Sequence, residues 1–162
     1  MKEANAKILL VDDDDSLRRV LEFQLSEAGH SVVSESDGRE ALKSYSAEDF
    51  DCVITDWRMP KITGSQLVQQ ATAINSEVPI IVITAFGDVD TAVEAMRGGA
   101  FDFITKPFNR QEILLTVEKA LKYGRALAEN RRLRRQIHED FRIENVIGTS
   151  DRMLQVFDLV ER

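Results

Sequence analysis

Apolar and polar positions alternate in blocks along the first 118 residues of this chain. Five short apolar runs, near 6–11, 31–35, 51–55, 79–84 and 101–105, each give way to a longer amphipathic stretch. Such runs, rich in Ile, Val and Leu, predict strands. The stretches near 15–28, 37–47, 63–74, 88–98 and from 110 onward predict helices. Regular strand–helix alternation predicts an α/β fold around a parallel sheet. The central runs, Ile8-Leu9-Leu10-Val11 and Ile80-Ile81-Val82-Ile83 among them, are apolar on both faces, as strands covered by helices on each side must be. Start and stop residues agree. Asp14 or Asp15 can cap the first helix, Gly29 suits the left-handed position after it, Gly98-Gly99 closes the fourth, and Asn109 can cap the fifth.

The fifth helix is expected to outrun the compact domain. From Glu112 to about Ile137 only Gly124 interrupts a stretch dominated by helix formers. Its later half reads as a short heptad pattern, with Tyr123, Asn130 and Ile137 at a and Ala126 and Leu133 at d. An asparagine at a favours two-stranded, in-register pairing at a cost in stability. Beyond it, Phe141 to Gly148 reads as an extended segment leading into an amphipathic helix with Met153, Leu154, Phe157 and Val160. That helix has no core of its own to rest on within the chain. The organisation expected is a domain over 1–122, a helical coiled-coil linker over 123–140, and the N-terminal fragment of a truncated further domain over 141–162.

Charge sharpens these boundaries. Residues 1–118 hold 11 basic against 21 acidic side chains, whereas 119–138 hold seven basic and one acidic, Glu129. An acidic globule therefore precedes a basic rod. The rod's cations spread around the helix without aromatic partners for bases, so a solvated coiled-coil surface is expected rather than direct contact with nucleic acid. No apolar run approaches the roughly 20 residues a membrane helix needs, and the start does not resemble a signal peptide. The single cysteine, Cys52, lies in an apolar run and is expected in the core. A cytoplasmic location fits these features.

The chemistry gathers where the strands end. Asp12 and Asp13 follow the first run, Asp56 ends the third, Thr84 the fourth, and Lys106 follows the fifth. Parallel strands bring their carboxyl ends to one edge, where such folds bind ligands. Three carboxylates, a hydroxyl and an ammonium meeting there suit a divalent cation and a phosphoryl group. A carboxylate can attack an activated phosphoryl group to give an acyl phosphate. Mg²⁺, which takes oxygen ligands and keeps several waters, matches so few carboxylates plus a substrate phosphate. Lys106 and Thr84 would each face a phosphoryl oxygen.

Leu9-Leu10-Val11-Asp12-Asp13, Asp56-Trp57-Arg58-Met59-Pro60, Ile83-Thr84-Ala85 and Lys106-Pro107-Phe108 resemble, in order and spacing, the signatures of bacterial response-regulator receiver domains. The resemblance covers roughly residues 5–122 and implies a flavodoxin-like (βα)5 fold with strand order 2-1-3-4-5. It implies Asp56 as phosphoacceptor, a sensor histidine kinase as phosphohistidine donor, and Mg²⁺ held by Asp13, Asp56 and the backbone carbonyl of Arg58, with Asp12 acting mainly through water. It also implies a switch in which Thr84 moves toward the phosphoryl group and Phe103 rotates into the space left. It raises the expectation of a cis Lys106–Pro107 bond. Arg58 and Phe86 would flank the path of attacking water, and Phe86 should slow hydrolysis.

The helix running into Glu129-Asn130-Arg131-Arg132-Leu133-Arg134-Arg135 resembles the linker of sigma-54-dependent, nitrogen-regulation-type activators. Ile147-Gly148-Thr149-Ser150 resembles the opening of their AAA+ ATPase domain. The implied assembly is a homodimer through the fourth helix, fifth strand, fifth helix and linker. A full-length protein would add AAA+ and DNA-binding domains and engage sigma-54 RNA polymerase. No Gly-x-x-x-x-Gly-Lys-[Ser/Thr] loop occurs in the sequence, so ATP hydrolysis is not expected of this chain. Its own chemistry would be limited to phosphoryl transfer onto itself and autodephosphorylation. An alternative takes Asp12-x-Asp14-x-Ser16 as the nucleophile motif of a haloacid-dehalogenase-like phosphatase. That family's later acidic pair has no counterpart after Lys106.

Overall fold

The computed structural model of the chain describes residues 5–85 and 87–147. Five strands, β1 (Lys7–Val11), β2 (Ser31–Glu35), β3 (Cys52–Asp56), β4 (Ile80–Thr84) and β5 (Asp102–Thr105), alternate with five helices. The helices are α1 (Asp15–Glu27), α2 (Gly38–Ala47), α3 (Gly64–Ile74), α4 (Val89–Arg97) and α5 (Arg110–Ile147). The strands form one parallel sheet in the order β2-β1-β3-β4-β5. This is the flavodoxin-like order expected.

Period-2 alternation of the strands divides the core into two layers. Ile8, Leu10, Ile54, Ile81 and Ile83 face Leu21 and Leu25 of α1 and Ile113, Val117, Ala120 and Leu121 of α5. Leu9, Val11, Val53, Ile80 and Val82 face the opposite way, onto Ala41 of α2, Leu67, Val68 and Ala71 of α3, and Ala95 of α4. Every residue of β3 and β4 is buried, the polar Thr55, Asp56 and Thr84 at their ends included. Cys52 lies in this core, and burial pushes its thiol up to about 12, leaving it unreactive.

Local capping fixes where the helices begin. The Asp14 carboxylate accepts from the N–H groups of Ser16 and Leu17, and that of Asp37 from Glu40. Asn109 accepts from the Glu112 N–H at 2.9 Å. Thr63 and Gln66 form a reciprocal capping box at the start of α3. Gly29 and Gly99 take positive φ values of 98° and 111° after α1 and α4, conformations a Cβ would strain.

One expectation fails at the far end. The stretch from Phe141 read as extended continues α5 as far as Ile147. Between Gly124 and Gly148 the sequence contains neither glycine nor proline, so each added residue extends an existing helix at low cost. The amphipathic segment carrying Met153, Leu154, Phe157 and Val160 lies outside the described residues. The chain divides into two compact units, Met1–Arg125 and Ala126–Arg162. In the second, Leu133 and Ile137 of the a/d stripe are about half exposed.

Candidate phosphoryl-acceptor site

Sheet register brings the acidic residues together. Val11 pairs with Thr55, so Asp12 and Asp56 leave neighbouring strands at the same level. Asp13 follows into the β1–α1 turn, and carboxylate oxygens of Asp12, Asp13 and Asp56 lie within 4.8 Å of one another. On the other side Thr84 pairs with Thr105, and the Lys106 N–H donates to the Thr84 carbonyl at 2.8 Å. The Lys106 ammonium then stands 3.5 Å from Asp56 Oδ2. The Lys106–Pro107 bond is cis.

Burial differs among the carboxylates. Asp12 has no exposed surface; its Oδ1 accepts from the Asp14 N–H at 2.9 Å, and its Oδ2 is buried without a partner. Burial pushes its carboxyl up to about 6, with the charges of Asp56 and Asp13 adding to the effect and the Asp14 N–H and Lys106 opposing it. Asp56 is also raised, chiefly by burial, with Lys106 and the backbone N–H of Arg58 working against the rise. Its carboxylate still reaches solvent, with 11% of the side chain exposed. Asp13 is exposed. Two buried carboxylates beside a third, one with an oxygen lacking any partner, form a site that a hard cation would complete. The residues present therefore fit Mg²⁺, with Asp12, Asp13 and Asp56 to hold it.

The segment after Asp56 is shaped by a close approach. A Cβ on Gly64 would stand 2.6 Å from the Asp56 carbonyl and 2.6 Å from the Trp57 Cα. Only glycine lets the first turn of α3 lie against the backbone that carries the acceptor. The Gly64 N–H donates to the Trp57 carbonyl at 2.9 Å, and Lys61 takes a positive φ of 68° to close the loop between. Across the mouth of the site, the Arg58 guanidinium meets the Asp88 carboxylate at 3.1 Å, although 78% of the Arg58 side chain is exposed. Asp88 also caps α4 through the Thr91 N–H, and hydrogen bonds from the Thr91 hydroxyl first and its N–H second, then Arg58, hold its carboxyl below the usual range.

The remaining expected residues fall in two groups. Thr84 is buried at the end of β4 with its hydroxyl lacking a hydrogen-bond partner. Phe103 is 37% exposed on β5, so its ring is not packed fully into the core. Tyr123 packs on Phe101 with ring centroids 5.0 Å apart and remains about half exposed. Asn130, Leu133 and Ile137 lie farther along α5, all exposed. Phe86 lies outside the described residues. Sequence reasoning singled out neither Gly64, Asp88 nor Arg18, whose side chain joins Asp12 to Asp15. A glycine at the first helical position after Thr63 and an Asp–Arg pair three residues apart were the available signals.

The response regulator receiver domain model matches residues 8–118, a span that contains the acidic cluster, Thr84 and Lys106. The chain belongs to the response regulator receiver domain family. Among curated relatives, it is 39% identical over 160 residues to the C4-dicarboxylate transport transcriptional regulatory protein DctD of Pseudomonas aeruginosa, covering 98% of this chain and 34% of that protein. It is 33% identical over 150 residues to the regulatory protein AtoC of Escherichia coli, covering 93% and 32%. This receiver-containing chain thus spans about a third of the length of these relatives. Among solved structures, the receiver domain protein from Clostridium thermocellum aligns with a TM-score of 0.72 at 31% identity, covering 75% of this chain and 98% of that one. NtrX from Brucella abortus, in complex with ATP, aligns at 0.76 and 28%, covering 86% and 34%. With family, fold and acidic cluster in agreement, the receiver serves phosphorelay signalling rather than turnover of a separate substrate.

Proposed function

We propose that Asp56 is the phosphoacceptor and that the receiver is charged by the phosphohistidine of a partner sensor kinase. One observation carries this reading. Asp56 is the member of the acidic cluster that combines a solvent-reaching carboxylate with a cation, Lys106, 3.5 Å away. A carboxylate oxygen of Asp56 attacks the phosphorus, the P–N bond to the imidazole breaks with its electron pair going to nitrogen, and an acyl phosphate remains. Lys106 offsets charge on the incoming oxygens, and the Thr84 hydroxyl, now without a partner, is available to donate to one of them. Bound Mg²⁺ would neutralise the carboxylates and the phosphoryl oxygens together, with the Arg58 carbonyl among its ligands. Asp12 lacks exposed surface, which speaks against the phosphatase alternative with Asp12 as nucleophile.

The signal then leaves through two-state packing. Thr84 moves inward, Phe103 follows from its partly exposed position, and the face formed by α4, β5 and α5 changes. Val89, Val93 and Met96 on α4 already expose apolar surface there. Residues 1–122 act as the input, and 123–140 pair two chains through Tyr123, Asn130, Leu133 and Ile137. Residues 141–162 begin an AAA+ domain in a longer, cytoplasmic sigma-54-dependent activator. The relation to DctD and AtoC supports this placement.

Incubation with acetyl phosphate and Mg²⁺, followed by intact-mass measurement, tests the acceptor. One phosphoryl group should be added to the wild type and none to Asp56→Asn. Equal labelling of the variant would sink the assignment. Sedimentation with and without beryllofluoride tests the switch; an unchanged assembly would exclude it.

A further inference from the structure

We propose that Arg18 is a positioning residue of the metal and phosphoryl site, acting through the backbone between Asp12 and Asp13. One guanidinium nitrogen donates to the Asp12 carbonyl oxygen at 2.6 Å, and a second donates to the Asp15 carboxylate at 2.6 Å. Only 16% of the side chain is exposed, so a charged group is held largely out of water. A cation shielded from water over most of its side chain and held by two short bonds is costly to dislodge.

Helix preference does not account for this placement. Arg18 lies in the first turn of α1, whose cap is Asp14, and its own N–H donates to the Asp14 carbonyl. The positive end of the helix dipole lies there, where a cation is unfavourable. The neighbouring Arg19 is exposed. Arg18 instead turns back onto the loop between β1 and α1.

The Asp12 carbonyl belongs to the peptide unit joining Asp12 to Asp13, and a peptide unit is planar. Holding that oxygen restrains the plane, and with it the backbone from which both side chains leave. From the other side, Asp12 Oδ1 holds the Asp14 N–H. The turn is clamped at both ends, with Asp12 directed inward and Asp13 within reach of Asp56. Four successive carboxylates, Asp12 to Asp15, would otherwise repel one another and open the turn. The planar fork of arginine spans the carbonyl and the carboxylate together, whereas lysine offers a single point charge.

This inference rests on the site binding Mg²⁺, and the test separates the two. Trp57, the only tryptophan, adjoins Asp56 and serves to follow MgCl₂ titrations of the full chain by fluorescence. Arg18→Met keeps much of the apolar stem and loses both donors; Arg18→Lys keeps the charge. The Mg²⁺ dissociation constant should rise roughly tenfold or more in Arg18→Met, the scale seen when outer-shell partners of metal ligands are removed. Arg18→Lys should fall between it and the wild type. Acetyl phosphate labelling should be slow in Arg18→Met at low Mg²⁺ and approach the wild-type rate when Mg²⁺ is raised. Thermal unfolding in EDTA reports the fold separately. If Arg18→Met does not fold, the affinity of Arg18→Lys decides: a several-fold loss supports the role and an unchanged value overturns it. Folded variants with wild-type Mg²⁺ affinity refute the Arg18 role alone. A wild type blind to Mg²⁺ refutes the metal site and this inference together.

Discussion

Replacing Asp12 by asparagine should stabilise the metal-free receiver while weakening its hold on Mg²⁺. Asp12 is fully buried, and its carboxyl is pushed from 3.8 up to about 6. At pH 7.5 it is ionised in both folded and unfolded chains. The difference of about 2 pH units, at 1.36 kcal/mol each, sets a destabilisation of about 3 kcal/mol. Asparagine keeps an oxygen for the Asp14 N–H, and its amide can donate toward Asp56 where the buried Oδ2 now has no partner. Allowing for imperfect geometry, the expected gain is about 1–3 kcal/mol, or roughly 3–10 °C in Tm for a domain of this size. The sign with pH follows from linkage. A carboxyl whose folded pKa is raised favours the fold below pH 4 and loses that advantage as pH climbs through 6. The gap between variant and wild type should therefore be small at pH 4, widen to about pH 6 and then level off. Mg²⁺ narrows the gap, because at ten times its dissociation constant it adds about 1.4 kcal/mol to a protein that binds it. Differential scanning fluorimetry across pH, in EDTA and in MgCl₂, makes the comparison. An Asp12→Asn protein less stable than wild type in EDTA at pH 7.5, or equally raised by Mg²⁺, would refute the reasoning.

Gly64→Ala should cost about 2–4 kcal/mol, since its Cβ would meet the backbone of Asp56 and Trp57 rather than a yielding side chain; urea unfolding measures the loss, and a cost under 1 kcal/mol would contradict the close approach. His30 is held below its ordinary value of 6.5 by burial first and then by Arg125, with Asp51 opposing. Because the unfolded chain takes up this proton first, His30 should subtract stability as pH falls below about 6.5, and His30→Gln should flatten that part of the Tm profile. Leu133→Asp with Ile137→Asp should shift the chain toward monomer in sedimentation without changing acetyl phosphate labelling, since both side chains lie in the stripe beyond the receiver.

Much of this architecture was legible because period and position carry it. The apolar runs of β1, β3 and β4 have no polar face, so they name themselves as central strands, and their last residues mark the site's edge. Asp12, Asp56 and Thr84 follow from that alone, and Lys106 from the end of the fifth run, before any resemblance is invoked. What escaped depends on contacts between residues distant in sequence or on backbone proximity. Arg58 and Asp88, thirty residues apart, meet through loops whose paths no period encodes. The need for Gly64 arises from the path of the Trp57 backbone, and Arg18 looks like any solvated residue of an amphipathic helix until its fork is seen on the Asp12 carbonyl. The segment from Phe141, expected to be extended, is helical instead, because a helix already formed needs only the absence of a breaker to continue.

The packing of α5 bears on where such a domain can be cut. The family match stops at residue 118, yet Ala120 and Leu121 are core residues, and Tyr123 covers Phe101. Gly124 lies where a Cβ would stand 3.2 Å from Pro79, closing the helix against the foot of β4. An excised fragment ending at 118 would forfeit the burial of Leu121, on the order of 2 kcal/mol, and bare the apolar surface it covers. The shortest self-sufficient fragment therefore ends near Arg125, and the turn of helix from residue 123, expected as linker, serves as the floor of the domain.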